Sequence, residues 1–156
     1  MTKRKIGILI KASIVLLGVA GFICCLLMQR ILDYVLPGFS PITHNMWLYA
    51  LYVCAAPCFA ALYPSWKIAG NIQNNKSFCR ENARHSKVLG YLMAIDTVLV
   101  VVTNTLLFAI GRSFLALFIS FSLIIAIFLA ASICAFALSS LIDNAAVLQD
   151  QSDYTI

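Results

Sequence analysis

The sequence predicts an all-α fold, an integral membrane four-helix bundle with both termini in the cytoplasm, on three observations. The first is composition: 156 residues, 62% apolar and 11% charged, with a mean hydropathy of +0.94. A soluble domain carries about 45 to 50% apolar and about 25% charged residues, so these side chains cannot cover a surface facing water. A disordered chain, a secreted disulfide scaffold and an ordinary cytosolic enzyme are excluded together. The second observation is four long runs almost free of charge, and the third is the crowding of Lys and Arg at one end of those runs.

A hydrocarbon core takes about 20 helical residues to cross. The runs at 6–28, 46–66, 88–110 and 114–142 meet that length, and only Lys11 and Asp96 interrupt them with a charge. They leave no room for a soluble domain, so residues 1–156 form a single membrane domain. Helices are preferred to a barrel because each run is continuously apolar rather than alternating, and a spanning helix satisfies its own backbone.

The first span follows a basic head, Lys3-Arg4-Lys5, and resembles a secretory signal in that respect. Its apolar run is too long for one, and 18–25 offers no clean cleavage site, so a retained helix is expected. Residues 31–39 are semi-apolar and expected to lie along the outer surface, with Pro37-Gly38 as the turn. In the second span Pro57 lacks an amide proton and is expected to kink the helix, whereas Pro64, Trp66 and Lys67 mark its boundary.

Residues 67–87 carry Lys67, Lys76, Arg80, Arg84 and Lys87 against Glu81. With the basic head these outnumber the two basic residues of the other connections, Arg30 and Arg112, by eight to two, which places both termini and segment 67–87 in the cytoplasm. The formal charge of +5 follows from that bias. It is no nucleic-acid signal, because no basic stretch interleaves aromatics for base stacking. Arg80, Arg84 and Lys87 stand at i, i+4, i+7, so the third helix is expected to begin early with one basic face. Gly111-Arg112-Ser113 reads as a tight hairpin. The fourth span, 29 residues without charge, would be about 43 Å long, and its excess over a ~30 Å core is expected to extend into the cytoplasm, where 143–156 form the tail.

Chemistry is sparse. Cys24, Cys25, Cys54, Cys58 and Cys134 lie in spans and Cys79 in the basic segment, with no Cys-x-x-Cys, which removes membrane dithiol oxidoreductases. Cys54 and Cys58 share a helix face, but His44 and His85 fall on opposite sides of the membrane, so no metal site is expected. No Ser, His and carboxylate meet at one depth, so neither catalysis nor a cofactor is expected.

Asp96 is the one intramembrane acid, and an unpaired carboxylate there costs a few kcal/mol. Counted from the span starts, Asp96 lies about 12 Å deep and Lys11 about 8 Å, so an ion pair between them is one expectation. A protonated Asp96 bonded to Thr97 or a neighbouring helix is another. The functional alternative is a proton or cation site, with Thr103 and Asn104 as a polar track, although such residues also bind helices to one another. At the cytoplasmic side, Arg80, Glu81, Asn82, Arg84 and Lys87 together with Asp150, Asp153, Thr155 and Ile156 form a candidate interaction face. Tail and basic segment can pair with each other, or the basic face can attract anionic lipid at about 1 kcal/mol per residue, or both are simply solvated.

Phe78-x-x-Glu81-Asn82-Ala83, leading into the third span, and the closing Leu148-Gln-Asp-Gln-Ser-Asp-Tyr-Thr-Ile156 resemble bacterial membrane proteins grouped as domain-of-unknown-function family 2975. Members usually carry Ser or Thr where Cys79 stands and Leu where Ser86 stands. A thiol accepts hydrogen bonds poorly, which weakens the expected helix cap. Members are commonly encoded beside a small helix-turn-helix regulator, so the resemblance implies a membrane partner of a transcription factor and no activity. The sequence thus leads to a non-enzymatic regulatory or adaptor protein without direct nucleic-acid binding, able to form an oligomer. The competing class is a small proton- or cation-coupled transporter or immunity-type protein using Asp96.

Overall fold

The computed structural model describes residues 3–35, 37–38, 40–74 and 76–153. They form four helices, α1 (Lys3–Val35), α2 (Pro41–Gln73), α3 (Arg80–Ala109) and α4 (Leu115–Asp153), and no strand occurs among the described residues. Each helix is long and apolar enough to cross a membrane. The expected all-α architecture is therefore present, and the helices overrun the expected spans. Helices of 30 to 39 residues measure about 45 to 58 Å at 1.5 Å per residue, against a hydrocarbon core of ~30 Å.

The overruns have local causes. Ser40 caps α2, its hydroxyl accepting from the Thr43 amide at 3.4 Å, and Pro41 occupies the first helical position, where its missing N–H costs nothing. The semi-apolar outer stretch is largely helix, since α1 continues to Val35 before the Pro37-Gly38 turn. Gly38 (φ +84°) and Gly111 (φ +68°) take the left-handed conformation that these turns require. Segment 67–87 is mostly helical too: α2 continues to Gln73 and α3 starts at Arg80, which leaves 74–79 as the link. α2 runs through Pro57 and Pro64 as one element, and α4 extends to Asp153 as its length suggested.

The helices pack in chain order, α1 on α2, α2 on α3 and α3 on α4, and α1 makes no backbone approach to α3 or α4 among the described residues. Much of what is buried is small or polar, alongside Leu32, Trp47, Leu107 and Ile142. On α3 the buried positions include Asn82, Ser86, Gly90, Thr97, Val100, Asn104 and Leu107, spaced three, four or seven apart in the manner of a coiled-coil seam. Large apolar side chains such as Leu16, Leu26, Leu106 and Ile127 point outward. This distribution suits a bilayer, where lipid is as apolar as leucine and close backbone approach and interhelical hydrogen bonds hold helices together.

Three such bonds set the α3–α4 register. Ser139 Oγ donates to the Ala83 carbonyl at 2.8 Å, Ser132 Oγ to Gly90 at 2.9 Å, and Asn104 Nδ2 to Phe118 at 3.2 Å. Each step moves seven or fourteen residues along both helices in opposite directions. Gly90 also makes room for Phe136, whose ring would lie 2.9 Å from an added Cβ.

At the end formed by the two tight turns, Trp47 packs with Leu32 and Leu107 and stacks on Phe121 at 5.3 Å. Its indole donates to the Arg112 carbonyl at 2.9 Å, and the Arg112 guanidinium donates to Ser40 (3.2 Å) and Thr43 (3.0 Å). Arg112 thus fastens the α3–α4 turn to the start of α2. His44 and Asp33 approach to 3.0 Å beside it.

Candidate functional site

At the opposite, basic end, two asparagines close the 74–79 link. Asn71 Nδ2 donates to Asn82 Oδ1 at 2.9 Å and to Glu81 Oε2 at 3.2 Å, while Asn82 Nδ2 donates to the carbonyls of Lys76 (3.1 Å) and Ser77 (3.0 Å). Both amide protons of Asn82 are committed, and its side chain is 1% exposed. The expected interaction face therefore loses this member: Asn82 builds the turn and is not presented to a partner. The sequence reading took a polar residue beside a loop for a surface residue, whereas the loop folds back over it. Cys79 is the N-cap of α3 and makes no side-chain cap bond, in line with the poor acceptor strength of a thiol. Ser86, which departs from the usual Leu, is buried with its hydroxyl unpartnered among the described residues.

The remaining charged residues divide between two sides of α3. Glu81 lies 3.6 Å from His85 one turn on. Arg80, Arg84 and Lys87 share one face, as their spacing indicated, and all three line a cleft of about 410 Å³ against Ser139, Ser140 and Asp143 of α4. That cleft sets Asp143 level with the start of α3. The helical residues that follow, 144–153, therefore project about 15 Å past it, with Ala146 buried and Val147 and Leu148 exposed. The side chains of Asp150 and Asp153 and all of Thr155 and Ile156 lie outside the described residues, as does any pairing of the tail with the basic segment.

Asp96 is fully buried at 0% exposure. Its Oδ2 accepts from Cys58 Sγ of α2 at 2.8 Å, and its Oδ1 has no partner among the described residues. The expected pair with Lys11 does not form. Lys11 Nζ instead donates to Gln73 Oε1 at 2.8 Å and sits 5.3 Å above the Trp66 ring. α2 serves as the ruler: Cys58, which meets Asp96, and Gln73, which meets Lys11, stand fifteen residues apart, or about 22 Å along the helix. Depths counted from the ends of apolar runs missed this because the helices begin and end elsewhere.

The residues suggested as a polar track make these bonds. Thr97 and Thr103 donate back to Met93 and Leu99 on their own helix, both at 2.8 Å, while Asn104 turns to α4. Cys58 is the neighbour of Asp96 that sequence reasoning passed over. Its i, i+4 relation to Cys54 marked the helix face without showing which helix it would meet. All six cysteines are unpaired, and Cys58 also lines an apolar groove of about 520 Å³ between α1, α2 and Phe128 of α4. Among the described residues no group of three His, Cys, Asp or Glu could hold a metal ion.

Residues 8–156 match the family described as "Protein of unknown function (DUF2975)". Among curated proteins, the chain is 30% identical over 92 residues to the "Uncharacterized membrane protein YoaS" of Bacillus subtilis (strain 168), covering 56% of this chain and 57% of that relative. The match thus spans little more than half the relative's length. No solved structure matches the chain. The family match takes in all four apolar helices and both motifs read from the sequence, and this multi-pass membrane protein belongs to the DUF2975 family.

Proposed function

We propose that the protein is a non-enzymatic regulatory or adaptor protein of the bacterial inner membrane, with both termini cytoplasmic, that presents its basic end to a cytoplasmic protein such as a helix-turn-helix regulator. The observation that carries this reading is the overhang of α4. The 39-residue helix exceeds what a bilayer needs and carries Val147 and Leu148, both exposed, beyond the start of α3. Exposed apolar side chains beyond the end of a neighbouring helix provide the kind of anchors that a helix or groove of a partner takes up. The eight-to-two basic bias supports the orientation.

Purification of the intact protein beside a chain lacking 147–156, from cells expressing the candidate regulator, tests the proposal. The regulator should accompany the intact chain and be lost with the truncation, and equal recovery from both overturns it. A reporter fused after Ile156 should be active in the cytoplasm; periplasmic activity removes the adaptor role.

A second reading is favoured by one specific observation: Asp96 has an unpartnered carboxylate oxygen, and its donor Cys58 lines a groove open toward lipid. A proton-coupled carrier built on that pair should lose function in Asp96→Asn, whereas an adaptor should keep its partner and lose at most stability.

A further inference from the structure

We propose that the cleft between α3 and α4 at the basic end binds the headgroup of an anionic phospholipid of the phosphatidylglycerol type. Arg80, Arg84 and Lys87 bring three cations to one wall, and on the other Asp143 is the single carboxylate. Arg84 and Lys87, both exposed, alone outnumber that carboxylate, and the three cations sit at helix positions i, i+4 and i+7. A phosphate takes the guanidinium of Arg84 and the ammonium of Lys87 as charge-assisted donors. Ser139 gives its proton to the Ala83 carbonyl, which leaves the exposed Ser140 as the hydroxyl that can turn toward a ligand. Asp143 would repel a bare anion, but it can accept from the free hydroxyls of a glycerol headgroup.

The setting favours a lipid over a soluble anion. The cleft floor is Phe136, whose ring meets Tyr91 edge-on at 5.0 Å. Tyr91 and Val88 are exposed immediately beyond the cations, along the apolar part of α3. Cations above and exposed apolar surface below match a molecule with a charged head and acyl chains, and basic pockets between helices at a membrane boundary are a known mode of lipid recognition. At about 410 Å³ the space exceeds what one phosphate needs. The inference goes beyond the adaptor role and stands without it: it assigns Arg80, Arg84 and Lys87 to lipid and leaves the α4 overhang to a protein.

The test uses the full chain in a neutral detergent, stripped of native lipid and titrated with short-chain fluorescent phosphatidylglycerol or phosphatidylcholine. Phosphatidylglycerol should bind at least about tenfold more tightly, and Arg84→Gln combined with Lys87→Gln should weaken it roughly 30-fold. The exchange Arg84→Lys with Lys87→Arg should stay within about threefold of the parent, as should Lys67→Gln, which removes a charge from the same end outside the cleft. Circular dichroism verifies that the variants fold, which their exposed positions favour. Equal affinity for the two lipids, or unchanged binding in the Gln double variant, overturns the proposal. Full displacement of phosphatidylglycerol by millimolar inorganic phosphate also overturns it, in favour of a soluble-anion site.

Discussion

Between α3 and α4 the contacts are polar and fixed in register, whereas between α1 and α2 they depend on side chains that are missing. The first pair is joined by Ser139, Ser132 and Asn104, each bonded to a backbone carbonyl of the facing helix. The second pair meets through glycines: an added Cβ on Gly7 would lie 2.8 Å from Gln73 Cβ and 3.0 Å from the Ala69 carbonyl, and one on Gly18 would lie 3.2 Å from a Leu62 methyl. Side-chain bonds cross that interface at Lys11–Gln73 (2.8 Å) and Tyr52–Cys25 (3.1 Å). Carbonyl bonds at heptad spacing specify one alignment, while glycine contacts specify closeness and allow sliding. A chain that is 62% apolar thus spends its few polar groups where alignment has to be unique.

The largest effect is expected at the joint between the two pairs. Asn82→Ala removes the amide that holds the Lys76 and Ser77 carbonyls and orients Asn71, and should lower unfolding free energy in detergent by about 2 to 3 kcal/mol. A loss below ~0.5 kcal/mol would mean that the turn holds without its clasp. Next comes a paired glycine test. Gly90→Ala drives a methyl against the Phe136 ring and should cost about 1 to 3 kcal/mol. On the other pair Gly18→Ala meets only the end of a flexible leucine and should stay close to zero, whereas Gly7→Ala meets Gln73 Cβ at 2.8 Å and the Ala69 carbonyl at 3.0 Å and should cost as much as Gly90→Ala. A melting midpoint of Gly7→Ala equal to the parent's would show that α1 and α2 do not depend on that close approach.

Ser132→Ala and Ser139→Ala should each cost about 0.6 kcal/mol, the mean for hydrogen bonds between membrane helices. Seven residues separate the two serines, about 10 Å along the helix, so the double variant should show the sum. Strong non-additivity in a thermal or SDS titration would reveal a cooperative seam. The smallest change should be a gain: Cys79→Ser supplies the cap hydroxyl that α3 lacks and should add about 0.5 to 1 kcal/mol, seen as a raised melting midpoint.

The four helices were legible because apolar runs of that length have one solution in lipid. The early start of α2 was legible as well, in Ser40-Pro41, but counting uncharged residues from Met46 passes over a capping signal. Side-chain partners were not legible. Whether Asp96 meets Lys11 or Cys58 depends on how far each helix is turned and shifted, and hydropathy carries neither quantity. Asn82 shows the same limit from the other side: its type suggested exposure, and only the fold of 74–79 over it explains burial. That Arg80, Arg84 and Lys87 share one face was legible because i, i+4, i+7 spacing needs only the helix itself.

No backbone of α1 approaches α3 or α4 among the described residues, so α2 carries most of its attachment, with Leu32 packed beside Trp47 and Leu107 at one end. Swinging α1 outward would widen the groove beside Cys58 and Phe128 and leave every α3–α4 bond intact. The alignment of α3 on α4 therefore does not depend on α1, whose flank of the bundle holds Cys58, the thiol bonded to Asp96.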